Sequence, residues 1–82
     1  MRKGEIWNLI NRIIWSDDKQ SYFVIIVDRL EQSRERLISG NEIRKVHSNG
    51  LIELIDGGLI PIHRVIEIRY KDKVLFTRKK SL

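Results

Sequence analysis

The sequence predicts an α+β domain, with one N-terminal helix packed on a curved, barrel-like antiparallel sheet of five or six strands and one short helical turn. Three observations carry this expectation. Ile6, Ile10 and Ile13 recur at the spacing of one helical face. Tyr22 to Val27 is an unbroken aromatic, aliphatic and β-branched run, as in a strand covered on both faces. After Gly50, short apolar stretches alternate with turn residues, at Asp56-Gly57-Gly58 and again at Lys71-Asp72-Lys73.

Taken in order, Lys3 to Trp15 reads as an amphipathic helix. Trp7 and Ile14 widen its apolar face, and Trp7 is most simply core. Asn8, Asn11 and Arg12 fall on the other side, and Ser16-Asp17-Asp18 closes the helix with residues that favour turns. The following strand, Tyr22 to Val27, is the expected cover for the helix. Leu30 to Ser33 reads as a loop, and Arg34 to Ile38 as a more polar return strand at a sheet edge. Ser39-Gly40-Asn41-Glu42 has the form of a capping box, which predicts a short helix or turn from Gly40 to Val46, stopped by His47-Ser48-Asn49-Gly50.

The remainder reads as antiparallel strands. Leu51 to Ile55 and Leu59 to Ile62 flank the Asp-Gly hairpin signal, and Pro61 must sit at an edge or break because it has no N–H to donate. Ile66, Ile68 and Tyr70 alternate with Glu67, Arg69 and Lys71, the pattern of a half-exposed strand, and Val74 to Thr77 pairs back. Arg78 to Leu82 is expected to fray as a basic tail.

Eighty-two residues without a linker or repeat make one domain, residues 1–82. The chain has no cysteine, hence neither a disulfide nor a thiolate metal site, and this fits a reducing cytoplasm. No apolar run is long enough to span a bilayer, so no membrane association is expected. Sixteen Lys and Arg against 11 Asp and Glu give a net charge of +5, which favours a polyanionic partner.

The stretch Ile60 to Ile68 concentrates the candidate chemistry: it holds the only proline, then His63 and Arg64, inside an aliphatic strand. Counted by parity, Arg64 shares a face with Ile66, Ile68 and Tyr70. A guanidinium there must either pair with a carboxylate such as Glu67 or line a pocket that receives an anion. His63 has no histidine near it in sequence, and no metal-ligand spacing is present, so neither a metal nor a cofactor is expected. Imidazole can act as a general acid or base, but no nucleophile elbow, phosphate-binding glycine loop or carboxylate pair accompanies it, and the chain does not read as an obvious enzyme. Trp15 beside Arg12 and Asp17 is either a hydrophobic plug at the helix end or an exposed ring on which a base could stack.

The order Ile10-Asn11-Arg12-Ile13-Ile14-Trp15, Val27-Asp28-Arg29, Ile60-Pro61-Ile62-His63-Arg64-Val65 and Phe76-Thr77-Arg78 resembles a small, largely archaeal family, the RNA cyclic-group end-recognition domain. The resemblance runs from Trp7 to Arg78, and the Ile-Pro-x-His-Arg element is its most specific part. Ile14 stands where the family often has a basic residue, and Phe76 where tryptophan is common.

The resemblance implies a module that binds RNA 3′ ends bearing a 2′,3′-cyclic phosphate in RNA repair or processing, with an RNA ligase or nucleotidyltransferase as the companion activity. Carried over by position, His63 and Arg64 would contact the cyclic phosphate, with Arg78 and Arg29 nearby, and Arg12 and Trp15 would touch the neighbouring nucleotide. Two other readings stay open at this point: an RNA phosphodiesterase using His63, and an adaptor whose basic surface docks a protein or ribonucleoprotein.

Overall fold

The computed structural model describes residues 3–28 and 34–78. Helix α1 spans Lys3–Ile14, and seven strands follow: β1 Tyr22–Asp28, β2 Arg34–Ser39, β3 Ile43–Val46, β4 Leu51–Leu54, β5 Leu59–Pro61, β6 Val65–Tyr70 and β7 Lys73–Thr77. They form two antiparallel sheets, one ordered β2-β1-β6-β7 and the other β3-β4-β5. The α+β class holds. The single barrel-like sheet of five or six strands is corrected to two open sheets with seven strands.

The difference has a local cause. A capping box forms as expected: Ser39 Oγ accepts from the Asn41 N–H at 3.3 Å, and Glu42 Oε2 accepts from the Ser39 N–H at 3.0 Å. It caps only a 3-10 turn, Gly40–Glu42, after which Ile43–Val46 becomes β3 rather than a helix. Ile43 opposes Leu54 and Val46 opposes Ile52, so the β-branched residues are paired across a ladder. A second 3-10 turn, Ile62–Arg64, carries the chain back from β5 to β6. Each passage between the sheets is therefore a single tight turn.

Ile6, Ile10 and Ile13 of α1 are buried with Val24, Ile38, Ile43, Ile52, Val65 and Ile68. The helix lies closest to β3 and the Ile62–Arg64 turn, and not to β1 as its place in the chain suggests. β1 pairs with β2 on one side and β6 on the other, and Val24, Ile25 and Ile26 are all buried, in keeping with its unbroken apolar run. β2 is the expected edge strand.

β6 departs from simple alternation. Its register against β1 shifts between Ile25 and Ile26, so that Ile25 faces Glu67 and Ile26 faces Val65. Such a bulge changes which parity faces the core. Val65 and Ile68, three apart, are both fully buried, and Glu67 is buried instead of exposed. The Glu67 carboxylate is satisfied there by the Arg69 Nε–H and by the Thr77 hydroxyl at 3.0 Å. Glu67 therefore pairs with Arg69 and Thr77, and Arg64 is left to other contacts.

Candidate functional site

Pro61 opens the site. It is the last residue of β5, opposite Leu51, with φ at −64°, and the missing N–H ends the ladder there. The chain then turns through Ile62–Arg64, closed by the Val65 N–H to the Ile62 carbonyl. Ile62 is buried, and its own N–H donates to the Gly50 carbonyl at 2.9 Å. With Ile62 fixed inward, His63 and Arg64 are presented at the break: His63 is exposed and Arg64 half-buried.

Arg78 holds this turn in place. Its Nε–H donates to the Val65 carbonyl at 2.8 Å, its Nη2 donates to the His63 carbonyl at 2.5 Å, and its backbone N–H donates to Ile66 at 2.8 Å. The part of the basic tail that lies within the described residues is thus anchored. The β6–β7 hairpin accounts for the meeting of residues so far apart in sequence, because Glu67 pairs with Thr77 just before Arg78.

His63, Arg64 and Arg78 line one concavity of about 230 Å³, walled by Val27 and Ile66 at the ends of β1 and β6. Arg64 Nε is buried with no hydrogen-bond partner among the described residues. An unpartnered guanidinium donor at a buried position is costly, and the cost falls when an anion meets it. Arg78 brings a second guanidinium, whose remaining N–H groups are not committed to the two carbonyls. The arrangement is suited to hold an anion against two arginines, with an imidazole at the edge.

His63 also lines a larger concavity of about 580 Å³, whose wall includes Trp7, Leu51, Pro61 and Ile62. Trp7, expected in the core, is only half-buried. Its indole N–H donates to the His47 carbonyl at 3.1 Å. The other histidine, His47, is engaged elsewhere, at 2.8 Å from Glu53 Oε1. That hydrogen bond, the largest influence, holds the Glu53 carboxyl below its ordinary range against the opposing effect of burial, with the nearby charges of His47, Arg44 and Lys45 adding to the lowering. Among the described residues, no group of three or more His, Asp or Glu side chains is placed to hold a metal ion. No helix among them is long and apolar enough to cross a membrane.

The remaining expected site residues are not brought into this cluster. Arg12 is exposed on α1, and Trp15 just beyond it is 80 % exposed, a free ring and not a plug. Neither lines the concavities that His63 borders. Arg29 lies outside the described residues. Sequence reasoning missed the concavity walls: Val27 and Ile66 read as plain strand residues, and Trp7 as core. Gly50, whose φ of +88° suits the end of the 47–50 turn, was the visible signal for a second surface facing the Pro61 break.

The family model described as the MJ1316 RNA cyclic group end recognition domain matches residues 1–78. Relatives include a UPF0248 protein of Metallosphaera sedula, 44 % identical over 70 residues that cover 84 % of this chain and 86 % of the relative. A UPF0248 protein of Saccharolobus islandicus is 36 % identical over 70 residues, covering 82 % and 88 %. Another, from Methanopyrus kandleri, is 33 % identical over 63 residues, covering 77 % and 82 %. No solved structure matches the chain significantly.

Proposed function

The chain belongs to the MJ1316 RNA cyclic group end recognition domain family, and on that premise we propose that it is an RNA-binding module for 3′ ends carrying a 2′,3′-cyclic phosphate. The observation that carries the reading is the buried Arg64 Nε, unpartnered among the described residues, in a concavity shared with His63 and Arg78. A cyclic phosphate is a compact monoanion with two free oxygens, and a guanidinium fork can donate to both. Arg64 and His63 contact the phosphate, while Arg78 acts by holding the 63–65 turn and adding charge. Arg12 and the exposed Trp15 would meet the strand farther from its end, where an unburied indole can stack a base. Among the described residues the lining offers one imidazole and no carboxylate, a composition that favours holding the cyclic end over opening it. Delivery of such ends to an RNA ligase or nucleotidyltransferase is the setting we propose for the binding.

The test compares short RNAs of one sequence, ending either in a 2′,3′-cyclic phosphate or in free hydroxyls, by fluorescence anisotropy. The cyclic end should bind more tightly, and Arg64→Ala should remove most of that advantage, about ten- to a hundredfold, as for loss of a charge-assisted hydrogen bond. Equal affinity for the two ends would sink the end-recognition reading.

A further inference from the structure

The larger concavity beside the phosphate site has no part in the reading above. Its volume of about 580 Å³ is that of a small-molecule site, and His63 lines both it and the Arg64–Arg78 concavity. We propose that it receives the base of the terminal nucleotide, the nucleotide whose cyclic phosphate sits against His63 and Arg64; the inference thus rests on the phosphate reading and extends it.

Three features point to a nucleobase. The first is the state of Trp7. Its N–H is already bound to the His47 carbonyl, which also accepts the Gly50 N–H at 2.9 Å. The indole is therefore held in place with its one donor satisfied, and what it offers an occupant is apolar ring surface. A fixed aromatic ring stacks a base with little further loss of side-chain freedom.

The second feature is that the wall stays apolar although a turn builds it. The His47 N–H donates to the Leu51 carbonyl at 2.8 Å, and the Ile62 N–H to Gly50 at 2.9 Å, so backbone groups there are paired with one another. Leu51, Pro61 and Ile62 then add apolar lining, and the exposed Ser48 and Asn49, which line the same concavity, supply a hydroxyl and an amide. Those groups can donate to or accept from a base edge. The third feature is continuity. In a nucleoside 2′,3′-cyclic phosphate, base and phosphate branch from the same ribose, so two concavities joined at one residue match a single nucleotide.

The experiment uses the full chain, labelled with 15N, and follows the indole N–H signals of its two tryptophans, assigned with Trp15→Phe. The probes are a nucleoside 2′,3′-cyclic monophosphate, the corresponding nucleoside, and ribose 2′,3′-cyclic phosphate without a base. The base-bearing cyclic phosphate should shift the Trp7 indole and the Asn49 and Gly50 amides. It should bind roughly five- to a hundredfold more tightly than the baseless ligand, the range found for one stacked base. Gly4 lines the same concavity, and a Cβ at that position meets nothing within 4 Å. Gly4→Leu should therefore narrow the concavity without displacing the core, bringing the nucleotide's affinity toward that of the baseless ligand.

Equal affinity with and without the base, or base-dependent shifts at Trp15 but not Trp7, overturns the proposal while leaving phosphate recognition intact. If the nucleoside shifts Trp7 as strongly as the cyclic nucleotide and binds as well, the base pocket stands and the phosphate reading fails. No response of Trp7 to any base-bearing probe overturns the proposal outright.

Discussion

Arg64 and Arg78 carry the same charge at the same concavity but hold it differently. Arg78 donates to the His63 and Val65 carbonyls and so shapes the turn that presents Arg64. Arg64 leaves its buried Nε without a partner among the described residues. The family resemblance implied both near one site, and the hydrogen bonds separate them: one guanidinium is committed to the turn, and the other is not. Glu53 is a simpler case, because one hydrogen bond dominates its environment. Its carboxyl is held below the ordinary range, chiefly by the hydrogen bond from His47. A carboxylate whose folded pKa lies below its unfolded value stabilises the fold above the unfolded pKa, and that contribution is lost as pH falls through the folded one. Urea unfolding of the wild-type chain and Glu53→Gln should therefore differ at neutral pH, with the wild type more stable. The difference should close as pH falls toward about 3, below the ordinary carboxylate range. A gap that stays constant over that interval would mean the ionised carboxylate is not its source.

At the scale of elements, the turn at Gly40–Glu42 decides more than its length suggests, because it redirects the chain from β2 to β3. Gly40 is buried at a close approach: an added Cβ would lie 2.3 Å from the Lys19 carbonyl oxygen and 2.9 Å from Ile13 Cγ2. Gly40→Ala must push the 3-10 segment Lys19–Ser21 or the end of α1 away, and overpacking of that kind costs about 1–3 kcal/mol. The unfolding midpoint should drop accordingly, whereas Gly57→Ala, in open space but at a φ of +93°, tests backbone strain without crowding. Unchanged stability in Gly40→Ala would mean the two segments are not held this close.

The same turn shows where reading the sequence stops. Ser39 and Glu42 predict a cap correctly, but a cap marks only the start of helical backbone. Ile43 and Val46 fit a helix face and a strand about equally well, and the ladder to β4 settles the matter. In β6 the alternation of Ile66, Glu67, Ile68 and Arg69 was plain, while the bulge opposite Ile25 and Ile26, which brings both Val65 and Ile68 into the core, has no local signal. The α1 face, the β1 run and the Pro61 break were legible because each depends on near neighbours in the chain.

For the whole molecule, what positions the site is the meeting of two sheets at a single short turn. β5 ends at Pro61 in one sheet and β6 begins at Val65 in the other, and the three residues between them lie where α1 also packs. Arg78 reaches the same place through the β6–β7 hairpin, a convergence that spacing along the sequence cannot supply. The outcome is a cluster of cations on a chain already carrying a net charge of +5. Binding of single-stranded RNA should then be driven in part by counterion release. If Arg64 and Arg78 together neutralise the terminal phosphate and Arg12 a second one, log Kd should rise with log salt at a slope of about 1.4, since each phosphate of a single strand contributes roughly 0.7. Affinity would fall about sevenfold between 50 and 200 mM salt. Arg64→Ala should lower the slope, by at most about 0.7, as well as the affinity, whereas loss of a contact with the base should weaken binding and leave the slope alone. A slope near zero for the wild type would show that the phosphates are not met by these arginines, and binding would then have to come from the apolar concavity.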